Sequence, residues 1–449
     1  MTKIALITLG CPKNVTDSRH LAERLMAEGM RIEDAAENAD VILVNTCGFI
    51  KDAKEESIEE ILKLAKGKAS HQKLIAFGCL MKRYRDEIAE AIPELDGIFG
   101  VGETEELVKY CGAVVANKLC RTVKPVSNIA GRLQDNALWQ RSYTYLKISE
   151  GCNKRCTFCV IPAIRGPFRS IPSETVLREA QQFVKQRVRE LILVAQDISR
   201  YGREIEGHSL LRLLKELVAI PGDFRIRLLY LYPTEISKEL LSFVASEEKI
   251  LKYFDIPLQH SEDRILRLMG RQGTRSEYLK LIRTIRKAIP GVTLRTSFIV
   301  GFPGETEKDF EGLVDFIEEV RFERLGVFKY SREEGTPAAR LPGQVPAKIK
   351  ERRYDEIMRR QAAISLEKNE ALVGKTLRAV IDEVDEDLIL ARLDSQAPEI
   401  DGVVLVERPE GGRLSRHIRN GSIINVTVVK AFDYDLRGVL APDGMQAGL

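Results

Sequence analysis

Residues 145–170 read YLKISEGCNKRCTFCVIPAIRGPFRS. An apolar run from Tyr145 ends in Gly151, and three cysteines follow at once: Cys152, Cys156 and Cys159, spaced C-x3-C-x2-C. Positions i, i+4 and i+7 also lie on one face of a helix, and cysteine is a good core residue. Gly151, Asn153 and the nearby Pro162 favour a loop instead, placed directly after a strand. In a barrel of parallel strands that is where chemistry is sited. Three thiolates are too few for a closed structural zinc site, which takes four ligands. They suit a cubane iron–sulfur cluster in which one iron stays open to a substrate or cofactor. From Cys152 to Ser170 the chain holds Lys154, Arg155, Arg165 and Arg169 and no acid. This basic stretch is expected to complement the charge of those thiolates.

Outward from this loop the pattern is strand and helix in alternation. Candidate strands begin at Tyr145, Glu190, Arg225, Tyr253, Thr293 and Arg324. Six such units suit a partial (β/α) barrel, short of the usual eight. Gln196 and Asp197, and Gln259 and His260, close predicted strands, where they either line the barrel mouth or sit solvated in loops. IVGFPGET, from Ile299, is a Gly-rich turn before a helix, suited to polar groups of a cofactor but not a nucleotide-phosphate loop. The five histidines form no zinc-type pair. A charged helix is expected from about Pro346 to Leu372.

The N-terminal part repeats the alternation. KIALITL from Lys3, VILVNTC from Val41, KLIAFGC from Lys73 and IFGVG from Ile98 read as strands. The first helix carries Leu21, Leu25 and Met26 on one face and stops at Gly29. The second carries Ile58, Ile61, Leu62 and Ala65, and a third ends near Pro93. This predicts a doubly wound parallel sheet with helices on both faces. Cys11, Cys47 and Cys79 each follow directly on a strand, so the topology brings them to one sheet edge. The inference is a second three-thiolate site, with Gly10, Gly48 and Gly78 allowing close backbone approach. Cys111 and Cys120 fit neither set and carry no assigned role.

Residues from about 121 to 140 lack periodicity and read as a linker. The last ~75 residues change to short β-branched runs, predicting a small all-β, OB-like barrel of about five strands. Expected domains are therefore 1–125, 138–365 and 366–440. The chain of 449 residues is 44% hydrophobic and 30% charged, with eight cysteines and net charge +3. That composition excludes bulk disorder, and no apolar run is long enough to span a membrane. The N-terminus lacks the pattern of a secretory signal, so a cytoplasmic protein is expected, with its thiols reduced. Residues 366–449 hold ten Lys/Arg and fifteen Asp/Glu, a net −5, which leaves +8 on the rest. A module that binds RNA should be basic. An acidic one suits a basic protein partner.

GCNKRCTFC in such a barrel resembles the radical S-adenosylmethionine (SAM) enzymes. The three N-terminal cysteines resemble the methylthiotransferase subfamily, and the terminal module is similar to a TRAM domain. LGCPKN, NTCGFIKDAKEES and RGPFRS are similar to the RimO branch, whose members methylthiolate an aspartate of small-subunit ribosomal protein S twelve. The chain departs from that branch in TDSRH, where VDSE is usual, and in RSI, where RSR is common.

The resemblance implies two [4Fe-4S] clusters, one on Cys152, Cys156 and Cys159 and one on Cys11, Cys47 and Cys79. It implies that SAM binds the open iron of the first and yields a deoxyadenosyl radical that takes hydrogen from the aspartate β-carbon. The second cluster would deliver sulfur, and the barrel would exclude water from the radical. Phe158 would sit near the adenine, with Gln196 and Gln259 as further cofactor contacts. The terminal module would dock the ribosomal protein and close one side of the barrel mouth. Partners implied are that protein, free or in the subunit, a low-potential electron donor and a sulfur donor, with no membrane and no direct DNA contact. Two other readings are a tRNA adenosine methylthiotransferase and a non-catalytic iron–sulfur factor that binds RNA or the ribosome.

Overall fold

The computed structural model describes residues 2–118, 142–385, 388–407 and 418–445. They form two compact units. The first holds the described residues up to Lys118, with Glu150–Asn153 and Val160–Phe168; the second holds the remainder. The cysteine loop thus contributes Cys152 to one unit and Cys156 and Cys159 to the other. The linker and Cys120 fall outside the described residues.

In the first unit five parallel strands, β1 (Lys3–Thr8), β2 (Arg31–Glu33), β3 (Val41–Thr46), β4 (Lys73–Gly78) and β5 (Gly97–Gly100), stand in the order β2-β1-β3-β4-β5. β3 is buried at every position. Its alternate residues feed two separate cores: Val41 and Leu43 pack with Leu21 and Leu25, while Ile42 and Val44 pack with Ile61 and Leu74. That two-sided burial is what a period of two gives in a sheet covered by helices on both faces. Each such side chain contributes about 1.5–3 kcal/mol.

The helices are α1 (Pro12–Ala27), α2 (Lys51–Gly67), α3 (Cys79–Arg83), α4 (Arg85–Ala91) and α5 (Thr104–Lys118). α1 opens with Pro12 in its first turn and stops at Gly29, whose φ of 83° lets Met30 N–H return to the Leu25 carbonyl at 3.0 Å. The expected third helix is two short ones, broken at Tyr84. β2, only three residues long, has no clear sequence signal. Cys111 is fully buried in the first of the two cores, as a plain core thiol.

In the second unit the six expected strands are β6 (Tyr143–Lys147), β7 (Glu190–Val194), β8 (Arg225–Leu228), β9 (Ile250–Asp255), β10 (Thr293–Val300) and β11 (Arg324–Lys329). All are parallel and lie side by side in chain order, as a right-handed succession of βα units requires. One continuous hydrophobic core fills the space between sheet and outer helices, from Leu146 to Ile364.

The terminal strands β12 (Thr376–Val384), β13 (Leu388–Leu393), β14 (Val404–Glu407), β15 (Ile423–Ala431) and β16 (Leu436–Met445) close a barrel in the order β12-β13-β14-β16-β15. Only β14 and β16 pair in parallel, which is the five-stranded OB-type arrangement expected.

This small barrel seats on the strand starts of the large sheet. Tyr143 and Tyr145 hydroxyls donate to Glu399 at 2.7 and 2.9 Å, and Tyr253 donates to Asp401 at 2.8 Å. Glu190, the first residue of β7, bridges Arg227 of β8 and Arg392 of β13. Arg227, fully buried, also donates to the Asp394 and Gln396 carbonyls at 3.0 Å each. These contacts correct the expectation that the module closes the barrel mouth. They lie where the strands begin, at the end opposite the loops that follow them, because the inward residues there are polar and aromatic rather than aliphatic.

Candidate active site

The strand order of the first unit reverses between β1 and β3, and ligands of such sheets bind at that crevice, beyond the strand ends. Cys11 caps α1 after β1, Cys47 follows β3, and Cys79 starts α3 after β4. Two of them, Cys11 and Cys79, converge on one buried side chain, Asn14. The Cys11 and Cys79 thiols donate to its Oδ1 at 4.0 and 3.9 Å. Its Nδ2 donates to the Leu9 and Thr46 carbonyls at 2.8 and 3.2 Å, which fixes the amide's orientation. Asn45 supports the same turn, donating to the Asn14 carbonyl and the Ser18 hydroxyl at 3.0 Å each.

The three glycines beside these cysteines leave no room for a side chain. A methyl group at Gly10 would lie 2.7 Å from Cys47 Cβ and 3.1 Å from its sulfur, at a φ of 91°. At Gly78 it would lie 2.4 Å from Asn45 Oδ1, and at Gly48 2.7 Å from Leu80 Cα.

Burial pushes the Cys47 thiol up, and the Cys79 thiol up to about 12. Arg165 opposes both shifts and hydrogen-bonds Cys79. It sits at the end of α6 (Ile161–Arg165), whose Ile164 packs with Val160 against Cys79. Burial works against its charge, but Asp17, Cys79, Glu150 and Cys11 hold the guanidinium firmly ionised. This corrects the sequence reading, which assigned Arg165 to the thiolates it follows. Lys154, from the same basic stretch, is also engaged elsewhere, with Glu235 at 2.8 Å.

The C-x3-C-x2-C loop is pinned by backbone bonds. Cys152 N–H donates to the Gly166 carbonyl at 3.1 Å, and Gly151, with φ 75°, has room only for hydrogen, since a Cβ would lie 2.1 Å from the Pro167 oxygen. In the second unit Cys159 N–H donates to the Cys156 carbonyl at 3.1 Å. Thr157 N–H and hydroxyl donate to the Met269 and Leu268 carbonyls at 2.9 and 2.7 Å. Arg271 donates to Cys156 Sγ at 3.9 Å while stacking 4.2 Å over the Tyr232 ring. Arg271 is the basic partner of this loop that the sequence did not reveal: it lies 115 positions from Cys156 in an unremarkable RQGT turn.

Phe158 packs edge-on against Phe302, 6.5 Å between ring centres, in a cluster with Met269 and Tyr330. Gln196 and Gln259 follow β7 and β9 as expected. Gln259 has φ 74° and forms a bridge to β10, its carbonyl accepting from Ile299 N–H at 2.8 Å. Asp197 caps a short turn through Ser199 N–H at 3.0 Å, and burial pushes its carboxyl up. His260 is fully buried, its Nδ1 accepting from Glu262 N–H at 3.0 Å, and burial pulls it down to about 3. In IVGFPGET, Glu305 accepts from Phe302 N–H at 3.0 Å and is pushed up to about 7 by burial.

Among the described residues no three Cys, His, Asp or Glu side chains are drawn together at metal-binding spacing. The donor chemistry still fits metal–sulfur groups: each set offers three sulfurs after strand ends, glycines that admit close approach, and a buried or stacked arginine. Among the described residues no helix is long and apolar enough to cross a membrane.

Residues 146–317 match the radical SAM superfamily, residues 3–100 the uncharacterized protein family UPF0004, and residues 373–440 the TRAM domain. The fold is shared with solved radical SAM structures. One is the methyltransferase TsrM from Kitasatospora setae, with TM-score 0.54 and 15% identity over 87% of this chain and 77% of that one. Another is OxsB, a cobalamin-dependent radical SAM enzyme, with TM-score 0.51 and 14% identity over 81% and 56%. The chain is therefore a radical SAM protein with an N-terminal α/β unit and a terminal TRAM barrel.

It is 53% identical to the ribosomal protein uS12 methylthiotransferase RimO of Thermodesulfovibrio yellowstonii, over 98% of this chain and all of that one. The RimO of Desulforamulus reducens is 43% identical over 98% and 100%. The chain belongs to the RimO family of uS12 methylthiotransferases.

Proposed function

We propose that this protein adds a methylthio group to the β-carbon of an aspartate in ribosomal protein uS12, acting in the cytoplasm. The observation that carries the reading is that Cys11, Cys47 and Cys79 each follow a strand end of one parallel sheet, with Cys11 and Cys79 on the same Asn14 oxygen, in a chain that separately carries C-x3-C-x2-C. One three-thiolate site serves radical generation; a second has no use in a simple radical enzyme and suits sulfur transfer. Full-length relatives named for uS12, and a terminal module of net charge −5, support a basic protein substrate over tRNA.

In this reading Cys152, Cys156 and Cys159 hold one [4Fe-4S] cluster and Cys11, Cys47 and Cys79 the other. Together with SAM these groups supply one-electron chemistry, which an unactivated C–H bond requires. The chain's own residues do the rest. Arg271 holds the Cys156 sulfur, and Thr157 ties the loop to the turn at Met269. Asn14 orients the Cys11 and Cys79 thiols. Gln196 and Gln259, after strand ends, offer polar groups to SAM. Phe158 packs the wall beside that site. A low-potential electron donor and a sulfur donor complete the system.

The test is anaerobic iron and sulfide analysis of the reconstituted protein. Two four-iron clusters are expected, and C11A/C47A/C79A should remove one and spare the other. A single cluster in the intact chain would refute the reading.

A further inference from the structure

Arg165 lies six residues beyond Cys159, in the segment that follows the C-x3-C-x2-C motif, yet its guanidinium is built into the other cysteine set. Its side chain is 1% exposed. One amino group donates to Asn14 Oδ1 at 2.7 Å, the same oxygen that takes the Cys11 and Cys79 thiols. The other bridges Asp17 and Glu150, each at 3.0 Å. A buried cation is retained only where its partners compensate the loss of water. Here two carboxylates already outweigh one guanidinium. Three deprotonated sulfurs beside them would leave strong excess negative charge, and Arg165 is the buried cation that acts on both Cys47 and Cys79.

Asn14 makes the link geometric as well as electrostatic. Its amide is held from one side by two carbonyls and from the other by Arg165, so the guanidinium fixes the oxygen to which the Cys11 and Cys79 thiols donate. The next residue, Gly166, anchors Cys152 through its carbonyl. Arg165 is thus placed by the loop of one cysteine set and acts on the other.

We infer that Arg165 is a positioning residue of the N-terminal thiolate site, balancing its negative charge and thereby setting the reduction potential of the iron–sulfur cluster held there. This rests on the ligand assignment proposed above. Among the described residues no other arginine donates to Asn14, so the effect is expected to depend on this side chain and on Asp17, its half-buried counter-charge.

The experiment uses the full-length chain with C152A/C156A/C159A, so that only the N-terminal cluster is read. Iron content, circular dichroism and the midpoint potential by EPR-monitored titration are measured for the parent, Arg165→Gln, Arg165→Lys and Asp17→Asn. Loss of a nearby positive charge disfavours the added electron. R165Q should therefore shift the reduced-to-oxidised ratio at least tenfold toward oxidised, about 59 mV downward for one electron. R165K, which keeps the charge, should stay near the parent. D17N, which removes a negative charge, should shift the potential upward. A purely structural arginine gives no such opposite pair of shifts.

Unchanged potentials in both R165Q and D17N would overturn the inference. So would equal loss of iron in R165Q and R165K with the fold intact. If R165Q fails to fold, the sign of the D17N shift decides. Absence of iron in the parent is a different outcome, which refutes the ligand assignment itself.

Discussion

Arg392 offers the sharpest test of how the terminal barrel is held. It lies on β13, 2% exposed, and donates to Glu190 at 3.0 Å, to Asp382 at 3.1 Å and to the Gln396 carbonyl at 3.0 Å. Arg392→Met removes the cation but leaves Glu190 buried with Arg227 alone. Breaking one member of such a buried set costs about 3–5 kcal/mol. Against a domain stability of about 5–15 kcal/mol that is a large fraction. At 1.4 kcal/mol per decade it corresponds to roughly a hundred- to several-thousand-fold faster opening.

The assay is hydrogen–deuterium exchange with mass spectrometry, comparing β12–β16 with the strands of the first unit, which should not change. Glu190→Gln with Arg392→Met removes both charges and should recover part of the loss. The pH dependence follows from Glu190. Burial opposes its charge, but Arg227 and Arg392 hold its carboxyl below the usual range. Its contribution is therefore complete above its ordinary pKa, near 4.5, and is lost as pH falls below that. With Arg392 gone the carboxyl is less depressed, and acid opening begins at higher pH. Less than a tenfold change in exchange would refute the reasoning.

Three further outcomes are expected. Gly10→Ala puts a methyl group 2.7 Å from Cys47 Cβ at a φ of 91°; beyond a backbone cost of about 1–2 kcal/mol, it should remove the N-terminal iron while leaving the other cluster's EPR signal. Cys111→Ser buries a hydroxyl in an apolar core, which should lower stability by about 1–3 kcal/mol without changing iron content, and a loss of iron would show that this thiol is not merely structural. Arg271→Met takes away the donor to Cys156, so iron should fall toward the single-cluster level with the N-terminal cluster retained, and full retention of both would show that Arg271 is dispensable there.

Much of this was legible in the sequence because the relevant signals are local. β3 reads as a strand because VILVNT is apolar on both faces, and α1 ends where Gly29 permits a left-handed turn. The placement of Cys11, Cys47 and Cys79 followed from a topological rule: parallel strands end on one edge. What escaped were contacts between residues distant in sequence. Arg165 looked like a partner of its neighbours, yet it pairs with Asn14, 151 positions away. Arg271 sits in a turn with no pattern of its own. The seating of the terminal barrel depends on Glu190, Arg227 and Arg392, charged residues that a sequence reading assigns to the surface. Only their burial reveals that they join two modules.

The central claim is the reaction itself. Mass spectrometry of ribosomal protein uS12, after anaerobic incubation with the reconstituted protein, a low-potential reductant, a sulfur source and SAM, tests it most directly. The predicted result is one SCH3 in place of one hydrogen on a single aspartate, lost when Cys11, Cys47 and Cys79 are replaced. Unmodified uS12 with the methylthio label on tRNA instead would contradict the account.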